Sequence, residues 1–325
     1  MASSSRPPRH SPPPVRTAVS GGVVPGLDDA PAFTLTSPPR LRLPVLVAVP
    51  HAGRTYPPAV TAKMRDVNSA QLRLEDRYAD RLGVAVARET GVALLIAHAP
   101  RALLDLNRAD DDIDWDMIEG GRPDSIIPSA PGQNSNARAR SGLGLVPRRL
   151  PGSGEIWRGR LTPQELAARI DGIHRAYHET LAAHLEQIRS EWGAALLIDL
   201  HSMPPLRVGE GEARAPVVVV GDRFGASCHN ALIGRALAHL QARRIPAAQN
   251  RPYSGGYVLD RHGAPHQGLH AVQIEVCRAT YLDRHLAEPG AGLPAVAAML
   301  TDLVRELGAE AALLAGADGQ RQAAE

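Results

Sequence analysis

The chain has 325 residues, 44% of them hydrophobic and only 3% aromatic, which is enough apolar material for a full core and excludes disorder of the whole. Its 36 basic and 34 acidic residues leave a formal charge of +2, and the arginines are interspersed with acids, without the basic stripe of a nucleic-acid binder. No apolar run reaches the roughly 18 residues that predict a membrane span, so neither nucleic acid nor membrane is expected as a partner.

Residues 1–40 are rich in Pro, Ser and Arg, a composition that cannot bury enough apolar surface to offset the entropy of ordering, and a flexible tail is predicted there. Residues 1–20 lack the apolar segment of a secretory signal, and their prolines interrupt the amphipathic helix that a transit peptide needs, so the expected location is cytoplasmic. From residue 41 onward, short apolar runs alternate with helical stretches, the pattern of an α/β sheet protein. A single catalytic domain is expected over 41–316, with a flexible tail over 317–325. Strands are predicted over 45–49, 92–99, 195–200, 216–221 and 271–276, apolar at nearly every position as strands covered on both faces are. Helices are predicted over 69–90, 163–192, 226–243 and 292–315. The second has a start signal, in which Thr162 caps, Pro163 takes the first helical position and Glu165 closes a capping box. Residues 110–160 form a long stretch rich in Gly, Pro and Asn, and long loops inside compact domains tend to be functional. Its acid run 110–116 lacks EF-hand spacing and reads as a solvated loop. Cys228 and Cys277 are far apart, without CxxC spacing, which suits a reducing compartment.

In open α/β sheets the ligand crevice lies at the carboxyl ends of the strands. Here the strand 45–49 leads into Pro50 and His51, with Gly53 close behind; 195–200 leads into His201; 271–276 carries Glu275 near its end. Zinc hydrolases hold their metal with two histidines and a carboxylate, leaving a position open for water. The nearest acids for the third ligand are Glu75 and Asp76 in RLEDRYAD, whose alternative reading is a pair of surface acids beside Arg73 and Arg77. Asp199, two residues before His201, shares its side of the strand by alternation and is placed to orient it. After the strand 92–99, Arg101, Asp105, Asn107 and Arg108 stand close together. They fit either a carboxylate-binding pocket or a structural pair of Asp105 with an arginine.

PHAG (50–53), LEDRYAD (74–80), DLNR (105–108), DLHSM (199–203), GASC (225–228), NRPYSGGY (250–257) and VQIEVCRATY (272–281) occur in the order seen in N-formylglutamate amidohydrolases. The chain resembles that family over about residues 45–285. The resemblance implies an α/β fold, a three-layer α/β/α sandwich with a mixed, mostly parallel central sheet, similar to zinc carboxypeptidases and aspartoacylase, and one catalytic zinc. It matches His51 and His201 to the histidine ligands and puts the carboxylate ligand at Asp76 in preference to Glu75. Three residues after the first histidine, where carboxypeptidases carry their acid, stands Arg54, which cannot ligate zinc. Glu275 matches the catalytic glutamate, Arg101 is assigned to the oxyanion, and Asn107, Arg108 and Arg278 to the substrate carboxylates. The paired glycines Gly255 and Gly256 are expected to let the backbone approach ligand closely. GEIWRGRL and HRAYHETL bring Arg160 and His178 into view, and His178, on a helix, reads as a partly exposed surface group outside the catalytic set.

The implied activity is zinc-dependent hydrolysis of N-formyl-L-glutamate to formate and L-glutamate, a step of histidine breakdown. The residues by themselves support a metal hydrolase with a carboxylate-binding pocket. Two other readings stay open at this point. One is the same site acting on another N-acyl amino acid or a peptide end, with the loop 110–160 setting pocket size. The other is a non-catalytic carboxylate-binding protein on the same fold.

Overall fold

The computed structural model describes residues 16–123, 137–150, 152, 154–208 and 214–322. The apolar runs form the centre of a sheet built from β1 (Thr17–Gly21), β2 (Phe33–Ser37), β3 (Val45–Val49), β4 (Ala93–Ala97), β7 (Ala195–Met203), β8 (Val218–Gly221), β9 (Ala247–Gln249) and β10 (Leu269–Cys277). A separate small hairpin pairs β5 (Arg149–Leu150) with β6 (Gly154–Glu155). The sheet order is β1-β2-β4-β3-β7-β10-β8-β9. Its middle, β4-β3-β7-β10, is parallel throughout. β2 and β8 join it antiparallel from the two sides, β1 pairs antiparallel with β2, and β9 runs parallel to β8.

The helices are α1 (Pro58–Thr61), α2 (Val67–Leu74), α3 (Ala79–Thr90), α4 (Ala137–Arg140), α5 (Pro163–Arg169), α6 (Ala176–Trp192), α7 (Asn230–Ala242), α8 (Tyr257–His262) and α9 (Leu293–Gln322). Strand alternation divides the core between the two faces of the sheet. Leu46, Ala48, Leu197 and Ala271 face a cluster with Tyr177, Leu181, Leu185 and Ile188 of α6. Val47, Ile198, Val272 and Ile274 face another with Leu82 and Val86 of α3, Leu232 and Leu240 of α7, and Leu303 and Leu307 of α9. Each buried Leu or Ile of this kind contributes roughly 1.5–3 kcal/mol, so the two clusters explain a three-layer arrangement with helices on both faces. Among the described residues no helix is long and apolar enough to cross a membrane.

Several expectations need correction. The flexible tail predicted over 1–40 holds two strands of the sheet from residue 17 onward. The composition of the whole segment concealed FTLTS, which alternates and seats Phe33 in the core, its ring edge-on to Tyr177 with centroids 5.7 Å apart. Residues 1–15 lie outside the described residues. At the other end α9 continues to Gln322, through most of the predicted tail 317–325, and residues 323–325 lie outside the described residues. The helix predicted over 69–90 is two helices, broken at Glu75–Tyr78. There the Asp76 N–H donates to the His51 carbonyl at 2.8 Å, and Tyr78 takes a left-handed φ of 60°, so the ladder is interrupted to turn both acids inward. The acid run 110–116 is not simply solvated: Asp112 and Asp114 are buried, and Asp114 pairs with Arg148 at 2.5 Å. The capping box at Thr162 and Glu165 forms as predicted.

Candidate functional site

All four parallel strands deliver side chains to their carboxyl ends. His51 follows β3, Arg101 follows β4, and His201 and Glu275 stand near the ends of β7 and β10. The β7–β10 register pairs Glu275 with His201 and Gln273 with Asp199, and alternation puts all four on one face. Gly53 permits the close approach of the His51 loop to the segment after β4, because a Cβ there would lie 2.2 Å from the Ala99 carbonyl oxygen.

His51, Asp76 and His201 are buried and each offers one ligand atom, all within 4.8 Å of one another. Asp76 Oδ2 lies 3.7 Å from His51 Nδ1 and 3.0 Å from His201 Nδ1. Ligands arranged tetrahedrally at about 2.0–2.2 Å from one ion stand roughly 3.4 Å apart, so the spacing fits a metal. His51 Nδ1 is buried without a hydrogen-bond partner, as expected of a nitrogen kept for an ion. Glu75 turns away and accepts from Arg77 at 2.8 Å, so Asp76 and not Glu75 belongs to the group.

Each histidine has its second nitrogen held by a carboxylate. Asp199 Oδ2 lies 2.8 Å from His201 Nε2, and Asp105 Oδ1 lies 2.7 Å from His51 Nε2. Such carboxylate contacts fix the tautomer and orientation of metal-ligating imidazoles. Asp105 also accepts from the Asn107 N–H at 2.9 Å and from Arg101 Nε and Nη2 at 3.0 and 2.8 Å. The structural pair of Asp105 with an arginine is therefore present, and Asp105 also buttresses His51, a role that neither reading of the segment had given it. Burial opposes ionisation of Asp105, but the guanidinium of Arg101 and the neighbouring His51 and Arg108 outweigh it and hold the carboxyl well below the usual range.

The electrostatics call for a cation at this place. Burial opposes charge on His201, yet the carboxylates of Asp199 and Asp76 raise its pKa well above the ordinary histidine value. Asp76 is likewise kept ionised against burial by its hydrogen bond to His201 and by the nearby His51. Glu275 is different: burial first, helped by Asp76 and Asp199, pushes its carboxyl up to about 7 against the pull of His201 and Arg101. An acid poised there can both take and return a proton near neutrality.

Around the group lies a cavity of about 880 Å3, lined among others by Arg101, Asn107, Arg108, Arg278, Gly255 and Gly256. Asp112, Arg138, Leu143 and Leu150 also reach it, so the stretch 110–160 contributes to its wall; residues 124–136, 151 and 153 lie outside the described residues. Arg278, assigned from sequence to substrate, lines the cavity and also directs Nη2 to Asp76 at 3.2 Å, Nε to Ser202 at 3.0 Å and Nη1 to the Leu72 carbonyl at 3.0 Å. That leaves two of its five N–H donors, while one of the other three holds Asp76. The glycines bring the chain close to a side chain: a Cβ on Gly256 would lie 2.6 Å from Asn107 Oδ1, and Gly255 has a φ of +96°. Asn107 Oδ1 accepts from the Val258 N–H at 3.0 Å, satisfying a free donor at the start of α8. Arg108 gives Nη1 to the Asn107 carbonyl and Nε to that of Leu143.

Gln273 escaped sequence reading. It accepts from Asn107 Nδ2 at 3.2 Å and donates to Glu275 Oε1 at 2.8 Å, linking the loop after β4 to the acid. Its signal was present in VQIEV, where period-two alternation sets Gln273 on the side of Glu275. His178, read as a partly exposed group, is fully buried against the Leu106 carbonyl at 3.0 Å; Arg160 is exposed and does not line the cavity.

Residues 43–282 match the model of the N-formylglutamate amidohydrolase family. The chain is 32% identical over 248 residues to an N-formylglutamate deformylase of Pseudomonas aeruginosa, covering 75% of this chain and 84% of that one. An N-formylglutamate deformylase of Pseudomonas putida is 29% identical over 247 residues, covering 74% and 83%. Among solved structures, the N-formylglutamate amidohydrolase from Ralstonia eutropha superposes with a TM-score of 0.73 at 29% identity, covering 88% of this chain and 97% of that one.

Proposed function

The chain belongs to the N-formylglutamate amidohydrolase family, and from that premise we propose that it hydrolyses N-formyl-L-glutamate to formate and L-glutamate at a zinc held by His51, Asp76 and His201. The carrying observation is Glu275 seated beside His201 in the β7–β10 register, next to a buried group of two imidazoles and a carboxylate. Zinc is the assignment favoured by that donor set of two nitrogens and one oxygen. Bound there, it supplies a Lewis acid and brings the pKa of water to about 7.

The chain's own residues do the rest. Glu275 takes a proton from the attacking water and returns it to the departing amine, a cycle suited to a carboxyl that burial pushes up to about 7. Arg101, anchored by Asp105, faces the cavity and is assigned to the oxygen that gains charge as water adds. Asn107 and Arg108 hold the substrate carboxylates, with the remaining donors of Arg278 behind Asp76. Gly255 and Gly256 keep that wall close to Asn107. The two cysteines are buried and free, which fits a reducing, cytoplasmic setting.

A cavity of about 880 Å3 lies high in the range for small-molecule sites, and this favours testing larger substrates as well. The experiment is a rate comparison over formyl, acetyl and longer acyl amino acids, with His201→Ala as control. Preference for N-formylglutamate, abolished in His201→Ala, supports the proposal. Preference for a longer acyl group redirects the substrate, and binding without turnover of any of them contradicts the enzyme reading.

A further inference from the structure

Two histidines outside the metal group, His174 and His178, are packed against the backbone that follows Asp105, and a third, His262, packs on His178. His178 Nε2 lies 3.0 Å from the Leu106 carbonyl and His174 Nε2 lies 2.9 Å from that of Arg108, so the two carbonyls flanking Asn107 are both gripped. His178 Nδ1 lies 3.0 Å from His262 Nε2, with the two rings stacked at 16°. A carbonyl only accepts, so His174 and His178 must carry their protons on Nε2. Burial lowers the pKa of each imidazole, His178 well below its ordinary value and His262 to about 3. With burial disfavouring charge on each ring and Nε2 of His178 turned to a carbonyl, His178 Nδ1 is the acceptor for His262 Nε2–H. One tautomer satisfies the whole arrangement.

The helices are shaped to make this contact. His174 lies in a π-helical turn, Ile170–Arg175, between α5 and α6, and His178 follows four residues later with ring centroids 4.4 Å apart. Such a turn shifts the helix face by one residue, and π turns occur frequently at functional sites. His262 comes from α8, the helix whose free N–H at Val258 is held by Asn107. The segment is thus held through its carbonyls from α6 and the π-helical turn before it, and tied to α8 through the Asn107 side chain.

Resting on the amidohydrolase reading above, we propose that His174, His178 and His262 form a clamp of positioning residues that sets the Leu106–Arg108 backbone, and with it Asn107 and Arg108, for the substrate carboxylates. The clamp touches neither substrate nor metal. It acts on ground-state binding more than on the chemical step, because it sets Asn107 and Arg108 directly, whereas it reaches Glu275 through Gln273, and His51 and Arg101 through Asp105, one residue further on.

The test compares zinc-loaded wild type, His178→Gln, His178→Leu and His174→Leu. Glutamine restores one donor and one acceptor, whereas leucine restores neither. The clamp predicts that His178→Leu raises KM for N-formylglutamate about tenfold or more, with kcat within about threefold and zinc content unchanged, while His178→Gln keeps KM within about threefold. An unchanged KM in His178→Leu, a kcat loss exceeding the KM rise, or an equal defect in His178→Gln overturns it. If His178→Leu does not fold, His174→Leu, which releases one carbonyl only, carries the same prediction. A separate readout needs no substrate: nitrogen NMR of the wild-type imidazoles should find the Nε2–H tautomer at all three positions, and a cationic or Nδ1–H His178 overturns the clamp. Wild type inert toward N-formylglutamate overturns the functional reading instead, and the imidazole spectrum then decides the clamp alone.

Discussion

At the residue scale, His201 ties the group that could hold a metal to two carboxylates. A proton on its ring would serve Asp199 and Asp76 as counter-charge. These carboxylates raise its pKa well above the ordinary value, so a metal that takes a ring nitrogen competes with a proton there. Zinc affinity of stripped protein should therefore fall as pH falls, by about tenfold per unit for one displaced proton. Competition titrations at several pH values check this, and an affinity independent of pH contradicts it. Glu275→Gln should lower kcat by about 10^2- to 10^4-fold while leaving zinc stoichiometry intact, which metal analysis beside steady-state rates would show. Asp199 could be read from sequence because alternation ties it to its neighbour His201. The grip of Asp105 on His51 could not, since 54 residues separate them and only the parallel pairing of β3 with β4 brings them together.

At the element scale, register and interruption position the site. The β7–β10 pairing sets Glu275 beside His201 without any loop adjustment, so the two side chains are mounted on adjacent rigid strands. The break between α2 and α3 does the opposite, giving up helical hydrogen bonds to turn Asp76 inward. Helical periodicity runs across that break, which is why the sequence predicts one helix there; the hydrogen bond to the His51 carbonyl that stops it is a tertiary one. Gly256→Ala pushes a methyl into Asn107 and should raise KM severalfold with kcat nearly unchanged, as steady-state kinetics would report. By contrast, Thr162→Ala removes the cap of α5 and should cost about 1 kcal/mol of stability in denaturant titration with activity intact.

At the scale of the whole molecule, the central strands were legible because burial on both faces leaves them apolar at nearly every position. The flanking strands were not. β1 is exposed along most of its length and β2 is half-buried, so neither carries that signal, and their proline-rich surroundings masked them. The chemistry gathers at the carboxyl ends of β3, β4, β7 and β10, where the parallel centre of the sheet opens into the arginine-lined cavity. Arg138, Asp112 and Leu143 show that the stretch 110–160 helps to shape this cavity, although its sequence offers little periodicity. The claim joining these levels is that one metal, held by His51, Asp76 and His201, supports deformylation. The most direct test adds zinc stepwise to stripped protein while formate release from N-formylglutamate is followed. Activity should rise in proportion and level off at one equivalent per chain; full activity in the stripped protein, or none at one equivalent, would contradict the account.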